Sequence, residues 1–273
     1  MSEKKRVKII IATHKKYRMP DDKMYLPVHV GAEGKKDENG NELNLGYTKD
    51  NTGDNISEKN ASFCELTGMY WAWKNLDADY IGLAHYRRHF GVQKQDRYSG
   101  ILRYGQLKPM LGKYKIFVPK KRKYYIETLY SHYKHTHYAE HLDTTRVIIA
   151  ELYPEYLDSF DKVVHRTSGY MFNMSIMRKD YNDAYCQWLF DILFELEKRM
   201  GNHELSGFQG RFYGRVSEII FNVWLDYNVS SGKIKKEEIK ELPVMYTEDI
   251  DWSRKVKSFL LAKVAGKKYD ASF

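Results

Sequence analysis

Short apolar runs alternate along this chain with longer segments of helical periodicity, and this alternation limits the folds that it can adopt. Residues 7–12 and 80–84 are typical of buried strands, and residues 57–75 between them repeat apolar side chains at helical spacing. Such alternation predicts an α/β fold with a mostly parallel central sheet flanked by helices. Further strands are predicted at 24–30, 115–118, 169–174 and 242–245, and further helices at 145–152, 181–200 and 218–228.

Polar residues separate these elements. Ser57 and Ser217 are predicted to be the N-caps of the helices 57–75 and 218–228, because a serine hydroxyl accepts from the free amides of a first helical turn. Residues 31–55 are rich in glycine, asparagine, aspartate and lysine. We therefore expect a long exposed loop there, and long loops in compact domains are commonly functional.

Composition narrows the class of protein. With 45 Lys and Arg against 36 Asp and Glu, the formal charge is +9, which favours anionic partners such as nucleotides, phospholipid surfaces or nucleic acid. The two cysteines, Cys64 and Cys186, lie in apolar helical patterns and indicate neither a disulfide framework nor a zinc site. The apolar run 7–12 is too short for a signal peptide, and no apolar window spans a membrane. A cytoplasmic protein is expected.

Cations follow two of the predicted strands. In open α/β sheets the ligand lies beyond the carboxyl ends of the strands, so both groups are expected at one edge. Arginine binds phosphate oxygens with a planar fork, and a diphosphate is the ligand that such a cluster suits. The alternative is a solvated strand end whose cations pair with carboxylates. The residues concerned are Thr13, His14 and Lys15 after the first strand, and His85, Tyr86, Arg87 and Arg88 after the strand 80–84.

A series of blocks resembles a bacterial family long labelled a domain of unknown function, found among proteins of capsule, exopolysaccharide and O-antigen biosynthesis. The blocks run in order from about residue 7 to 246 and are IIIATHK, YLPVHVG, DNTGDNISEKNASFCELTGMYWAWKN, DYIGLAHYRRHF, NMSIMRKDYNDAYCQWLFDIL and GRVSEIIFNVWL. One departure is Ser175, which makes its block less apolar than the family pattern. The resemblance implies a glycosyltransferase with a GT-A-like, nucleotide-sugar-binding fold, in a family that includes galactofuranosyltransferases. It implies a UDP-sugar donor and a glycan or lipid-linked glycan acceptor. We expect residues 1–250 to form this domain and 251–273 a basic amphipathic tail.

Glycosyl transfer from such a donor needs positive charge at the departing diphosphate. Many GT-A enzymes hold a metal ion with an Asp-x-Asp motif, which Asp77-Ala78-Asp79 matches literally. These two carboxylates precede the strand 80–84, at its amino end, so we interpret them as a helix-to-strand turn. At the carboxyl end the chain has His85, Tyr86 and Arg87 instead. A site that needs no metal is expected, with Mg²⁺ or Mn²⁺ left open.

Further donor-binding residues are predicted in two other segments. Asp54, Asn55 and Asn60 accompany a loop that runs into a helix, where they could bind ribose or base, although turn chemistry needs the same residue types. Arg211 and Arg215 surround a glycine-containing segment and could approach phosphate.

Glu218 is the predicted general base of an inverting transfer, because a carboxylate normally takes the proton of the acceptor hydroxyl. It follows the predicted cap Ser217, and the alternative is a first-turn glutamate that only favours the helix dipole. Glu204 and Asp249 are weaker candidates for the same role.

Two basic segments carry weaker signals. His132, His135, His137 and His141 lie at near-helical spacing without the glutamate of a zinc-protease motif. A basic acceptor-binding surface is therefore favoured over a metal site, and a solvated helix over both. The tail 252–268 has apolar residues at helical spacing among lysines. It is predicted either to pack on the domain or to lie on an anionic membrane surface, which would place the protein peripherally on the inner face of the cytoplasmic membrane.

Two other functions compete with glycosyl transfer. A non-catalytic nucleotide- or carbohydrate-binding protein could keep the same fold. A nucleic-acid-binding protein is disfavoured, because the chain has no nucleic-acid-binding motif and its cations cluster at strand ends rather than along one stripe.

Overall fold

A computed structural model describes residues 5–92, 98–201 and 207–248. These residues form two compact units, each assembled from separate stretches of the chain. The first unit is built from the described residues of Met1–Lys120, Asn173–Cys186 and Lys235–Glu248, and the second from those of Lys121–Phe172 and Gln187–Ile234.

The first unit is organised around one large sheet. Along the sheet the strands follow the order β10, β6, β9, β4, β1, β2 and β3. Along this order, neighbouring strands are parallel except around β9, which runs antiparallel to both β4 and β6. Two further strands lie off this path: β5 is antiparallel to β4, and β11 is antiparallel to β5. The prediction of a mostly parallel sheet is confirmed. The strands are β1 Val7–Thr13, β2 Tyr25–His29, β3 Thr48–Lys49, β4 Tyr80–His85, β5 Arg88–Phe90, β6 Ile116–Pro119, β9 Ser175–Arg178, β10 Ile239–Leu242 and β11 Val244–Tyr246.

Helices flank this sheet. Helix α2, Leu66–Asn75, packs so closely that a Cβ on Gly68 would lie 2.7 Å from Val30, so only glycine fits there. The first turns of α7, Lys179–Met200, line a small cavity together with α2 and the sheet, so both helices cover the same face. The remaining helices of this unit are the short α1, Asn60–Phe63, and α3, Tyr104–Leu107.

The second unit is mainly helical. Its helices are α4 Leu129–Thr136, α5 Glu140–Leu152, α6 Leu157–Val164, α8 Phe212–Ser230 and the later turns of α7. A two-stranded sheet joins β7, Arg122–Lys123, to β8, Ser168–Gly169. Among the described residues, no helix combines the length and apolar character that a membrane span requires.

The predicted helix 57–75 is interrupted. Ser57 begins a 3-10 turn, but its hydroxyl donates to the Asp50 carboxylate and does not cap the helix. Cys64 then adopts φ 55° and ψ −130°, which ends α1 before α2 begins. The prediction of one capped helix was wrong because tertiary hydrogen bonds to Asp50 replace local capping.

Two other boundaries differ from the sequence prediction. In the segment predicted as the strand 169–174, Phe172 and Asn173 have positive φ, and the long strand starts at Ser175, which is buried opposite Leu83. Helix α8 begins at Phe212, so Ser217 lies inside it and donates to the Gly214 carbonyl. Burial of the first turn of α8 offsets the helix penalty of about 1 kcal/mol that glycine brings.

Candidate functional site

The carboxyl ends of the parallel strands meet at one edge of the sheet in the first unit. Thr13 pairs with His29 across β1 and β2, and Ala12 pairs with His85 across β1 and β4. The segments that follow β1 and β4 therefore start side by side, as the sequence predicts. We call this edge the sheet rim, defined by His14, Lys15 and the hairpin 85–88.

At the rim, β4 turns back on itself. His85 pairs with Arg88 of the antiparallel strand β5, which leaves Tyr86 and Arg87 at the corner of a tight hairpin. The Tyr86 ring stacks on Tyr17 with centroids 4.1 Å apart, and the Arg87 guanidinium lies 5.0 Å from the same ring. Burial is the main cause that raises the pKa of Tyr86. The hairpin therefore holds Arg87 against an aromatic support.

The two arginines of the hairpin differ in environment. Arg87 Nε lies 2.9 Å from Glu248 Oε2, with side chains 49% and 48% exposed. The Arg88 guanidinium is less exposed and lies 5.9 Å from the Tyr246 ring of β11. A half-exposed ion pair contributes only about 0 to 1 kcal/mol, so an anion with more charge than one carboxylate can compete for Arg87.

The segment after β1 contributes unequally to the rim. Thr13 is buried and its hydroxyl donates to the Lys15 carbonyl, 2.8 Å away, so it shapes the turn. His14 and Lys15 are exposed, and the His14 ring meets the edge of Tyr86 with centroids 5.6 Å apart. His14 thus contacts the hairpin at Tyr86, and Lys15 follows it in the same exposed turn.

The predicted donor-binding residues of the segment 50–60 make local turn and helix contacts, and donor binding by them stays a prediction. Asp54 accepts from Tyr70, and its backbone exchanges hydrogen bonds with Asn75, the last residue of α2. Asn55 accepts from the Ser57 amide, which is turn chemistry. The structure therefore does not bring Asp54 to the rim. Asp54 lies beside the end of α2 that leads into the amino end of β4.

Asn60 belongs to a buried network around Asp50. Asp50 is fully buried and accepts from the amides of Gly31 and Ala32 and from the hydroxyls of Ser57 and Thr67. Asn60 donates to Thr67 and to the Cys64 carbonyl. Its side chain fills the space beside Gly31, whose φ of 64° and missing Cβ are both required there. This network fixes the loop after β2, a role that the polar composition of 31–55 concealed.

Glu65 is a carboxylate near the carboxyl end of β4, and the sequence analysis gave it no site role. It precedes α2 and accepts from Asn173 Nδ2 at 2.7 Å. Asn173 lies just before β9, whose residue Ser175 pairs with Leu83 near the carboxyl end of β4. Cys64 and Asn173 both have positive φ, 55° and 52°. Strained residues of this kind persist where the surroundings fix them and are commonly found at functional sites.

The predicted residues of the C-terminal block lie in the second unit. Arg215 and Glu218 are on α8. Burial raises the pKa of Tyr133, the Arg215 charge opposes this rise and the Glu218 charge adds to it. Arg215 Nη1 lies 3.4 Å from His137 Nδ1. Burial, followed by the Arg215 charge, lowers the pKa of His137 to about 3. Glu218 lies inside α8 rather than at its start, so the prediction that it begins a helix was wrong.

Arg211 is exposed in the 3-10 turn before α8. Glu204 and Asp249 lie outside the described residues, as does the tail 251–273. Arg211 thus lies just before the helix that carries Arg215, and phosphate binding by the two arginines stays a prediction.

Each of the four histidines between residues 132 and 141 has a side-chain partner. His132 and His135 each approach the buried Glu127 at 2.7 Å, while His137 approaches Gln209 and His141 approaches Tyr133 at 2.9 Å. In the described ranges, no three His, Cys, Asp or Glu side chains converge in a way that could hold a metal ion. Asp77 pairs with Arg6, and Asp79 accepts from the Arg6 amide. This supports the interpretation of Asp77 and Asp79 as a turn.

The chain is similar in sequence to one described protein family. The sequence profile of a family described as a domain of unknown function, DUF4422, matches residues 8–229. The chain belongs to the DUF4422 family. The matched range includes His14, the hairpin 85–88, Glu65, Asn173 and the α8 residues, while Glu248, the partner of Arg87, lies after its end.

One solved structure is similar to this DUF4422 chain over most of its length. An apo structure of the bifunctional glycosyltransferase WbbM aligns with a TM-score of 0.80 and 30% sequence identity, over 89% of this chain. The DUF4422 chain spans 46% of the length of that protein. No functionally curated protein has a matching sequence.

Proposed function

We propose that the chain is a glycosyltransferase that moves a sugar from a UDP-sugar donor to a growing bacterial surface polysaccharide on a lipid-linked acceptor. Galactofuranose is the proposed sugar, from the sequence resemblance. The rim is the proposed donor site, because it is the place where exposed cations and an aromatic support stand at the carboxyl ends of parallel strands. The match to a glycosyltransferase structure supports this assignment.

The departing UDP develops negative charge on its diphosphate as the glycosidic carbon is attacked. Arg87 and Arg88, together with Lys15, would neutralise that charge, and fixed charges of this kind need no reorganisation during the reaction. The diphosphate would replace Glu248 at Arg87, since that ion pair is half-exposed on both sides. His14 could donate to a phosphate oxygen from the adjacent turn.

The sugar and the acceptor need hydrogen-bonding carboxylates. Glu65, held by Asn173, would accept hydrogen bonds from hydroxyl groups at the rim. Glu218 stays the predicted general base of an inverting transfer, with Arg211 and Arg215 as predicted anion-binding residues. A base must take the proton of the attacking hydroxyl, and a carboxylate performs this at neutral pH.

Fixed arginines and a metal ion are alternative ways to stabilise the same leaving group. We propose that the reaction needs no added metal, because the β4 end offers His85, Tyr86 and Arg87 rather than paired carboxylates. Mg²⁺ or Mn²⁺ carried by the donor diphosphate is the alternative. Turnover with a chelator present separates the two.

The proposal is tested by incubating the purified chain with UDP-galactofuranose or other UDP-sugars and measuring released UDP. Release that rises on addition of a lipid-linked glycan acceptor is the expected result. A chain that binds UDP but releases none from any donor would instead be the non-catalytic nucleotide- or carbohydrate-binding protein. Binding of nucleic acid without UDP binding would indicate a nucleic-acid-binding protein.

A further inference from the structure

The loop between β7 and α4, in the second unit, displays two large apolar side chains to solvent. Tyr125 is 81% exposed and Ile126 is 72% exposed. Both values exceed those of Tyr138, Val147 and Leu152, at 42%, 48% and 45%. Single exposed apolar residues are ordinary on protein surfaces, whereas an adjacent pair this exposed calls for a physical reason.

The backbone of this loop is held in a strained turn. Tyr125 has φ 59°, in the left-handed region that disfavours residues with a Cβ, and the Ile126 amide donates to the Tyr124 carbonyl at 2.7 Å. A hydrogen bond between residues two apart around a positive φ makes a γ-turn of the rare, strained kind. Both exposed side chains lie at the apex of this turn.

The two sides of the turn are anchored. On one side the Tyr124 amide donates to Thr167, and β7 pairs with β8. On the other side the buried Glu127 is fixed by His132 and His135 at 2.7 Å each. The residues on both sides of the apex are therefore fixed by hydrogen bonds to other parts of the second unit.

Four consecutive cations, residues 120–123, precede the apex, and the last three of them, Lys121, Arg122 and Lys123, belong to the second unit. Lys121 and Lys123 are exposed, and Arg122 lies over the Tyr124 ring with its guanidinium 4.9 Å from the centroid. Within the described part of the chain, Lys121, Arg122 and Lys123 have no carboxylate at ion-pair distance. The Lys121 ammonium instead lies 4.9 Å from the Tyr170 ring centroid. We call the segment 121–126, which comprises β7 and the turn after it, the apical loop; it combines an exposed apolar pair with cations that no described carboxylate neutralises.

We propose that the apical loop inserts into an anionic membrane surface. Tyr125 and Ile126 would enter the boundary between headgroups and acyl chains, which is where tyrosine is enriched and where interfacial apolar residues are buried. Lys121 and Lys123 would bind lipid phosphates, as juxtamembrane cations do. The inference does not depend on the glycosyltransferase assignment or on the tail.

Other occupants fit this surface less well. A stable protein interface buries about 1,000 Å² or more, which is far beyond a two-residue apex. A sugar could stack on the Tyr125 ring, but Ile126 offers it no hydrogen bond. The positive charge beside the apex also matches an anionic lipid surface better than a neutral glycan.

A site-specific probe tests the insertion directly. Both native cysteines are buried, so Ile126→Cys in the full chain can be labelled selectively with an environment-sensitive fluorophore. We expect a blue shift on adding vesicles that contain phosphatidylglycerol and none with pure phosphatidylcholine. Val147→Cys on α5, 48% exposed in the parent, is the matched control and should not respond.

Three results would overturn the proposal: no shift at position 126 with anionic vesicles, equal shifts at 126 and 147, or the same shift with neutral vesicles. A shift caused by free glycan or by a protein partner in the absence of lipid would assign the loop to that partner instead.

Vesicle flotation gives a second, independent measurement. Tyr125→Asn with Ile126→Ser removes the apolar pair, and asparagine tolerates the positive φ, so the turn should persist. We expect the partition coefficient to fall about tenfold or more, since it depends on buried apolar area. Val147→Ser with Leu152→Ser is the control and should bind as the parent does. Parental binding by the apical-loop variant would show that charge or another part of the chain holds it on the vesicle, which contradicts insertion of the loop.

Discussion

Replacing Arg87 with alanine should separate catalysis from stability. In the folded chain Arg87 makes a half-exposed ion pair with Glu248 and lies 5.0 Å from the Tyr86 ring centroid. Such an ion pair contributes about 0 to 1 kcal/mol, and an exposed cation–π contact about 0.5 to 1 kcal/mol. The free energy of unfolding should therefore fall by no more than about 2 kcal/mol.

The effect on turnover should be larger. A charge-assisted hydrogen bond contributes about 1.5 to 3 kcal/mol, and each 1.4 kcal/mol or so changes a rate tenfold. If Arg87 stabilises the departing diphosphate, kcat/KM should fall about 10- to 150-fold. Because the charge develops most fully in the transition state, kcat should fall more than UDP affinity does. Arg88→Ala tests the second hairpin cation in the same way.

The assay is UDP release under initial-rate conditions, with folded protein quantified by chemical denaturation. Arg146→Ala is the matched control, because Arg146 pairs with Asp161 at 2.7 Å with similar exposures of 45% and 44%. That variant should lose a similar small amount of stability and keep its rate. If Arg87→Ala and Arg88→Ala both turn over within about threefold of the parent, the rim is not the diphosphate site.

Four further outcomes are expected. Glu218→Gln should keep UDP affinity while transfer falls about 100-fold or more, and near-parental transfer would move the search for the base to Glu204 or Asp249. Asp50→Ala should lower the free energy of unfolding, measured by urea titration, by more than about 3 kcal/mol, because two buried amides and two hydroxyls lose their acceptor. A loss below about 1 kcal/mol would contradict this. The folded pKa of His137 is about 3, below its ordinary 6.5, so its contribution to stability is full above about pH 6.5 and is lost as the pH falls toward 3. His137→Gln should therefore make the free energy of unfolding depend less steeply on pH over this range. An unchanged pH dependence would refute this. Removing residues 252–273 should lower the membrane-bound fraction of expressed protein without affecting UDP binding, and unchanged sedimentation would favour a packed tail.

The centre of the sheet could be predicted because β1 and β4 are buried over most of their length. The apolar run of β1 and that of β4 appear in the sequence as continuous stretches, and the cations after each strand follow from chain order alone. Their meeting at one edge depends only on parallel pairing. The rim was therefore accessible to sequence reasoning.

The predictions that failed rest on contacts between distant residues. Cys64 interrupts a helical pattern that has neither glycine nor proline at the break, because the loop is fixed by Asp50 and Thr67. Asp50 itself is hidden in a polar segment that reads as an exposed loop. The position of Glu65 near the carboxyl end of β4 follows only from its hydrogen bond with Asn173, which is 108 positions away in the sequence. Local pattern carries no signal for such pairings.

Helix α8 shows the same limit in another form. Gly214 and Ser217 indicate a helix start by local rules, yet burial of Phe212 and Tyr213 extends the helix through both. Tertiary burial overrides propensity when large apolar side chains occupy the first turn. Glu218 stays the predicted base, whereas the alternative role of a first-turn glutamate at the helix dipole no longer applies, because Glu218 lies inside α8.

The central claim is that the sheet rim binds the donor diphosphate, and a crystal structure of the chain with UDP tests it most directly. The account predicts diphosphate oxygens within hydrogen-bond distance of Arg87 or Arg88, at roughly 2.7 to 3.2 Å, with the Arg87–Glu248 pair opened. UDP bound away from the hairpin 85–88, with that ion pair intact, would contradict it.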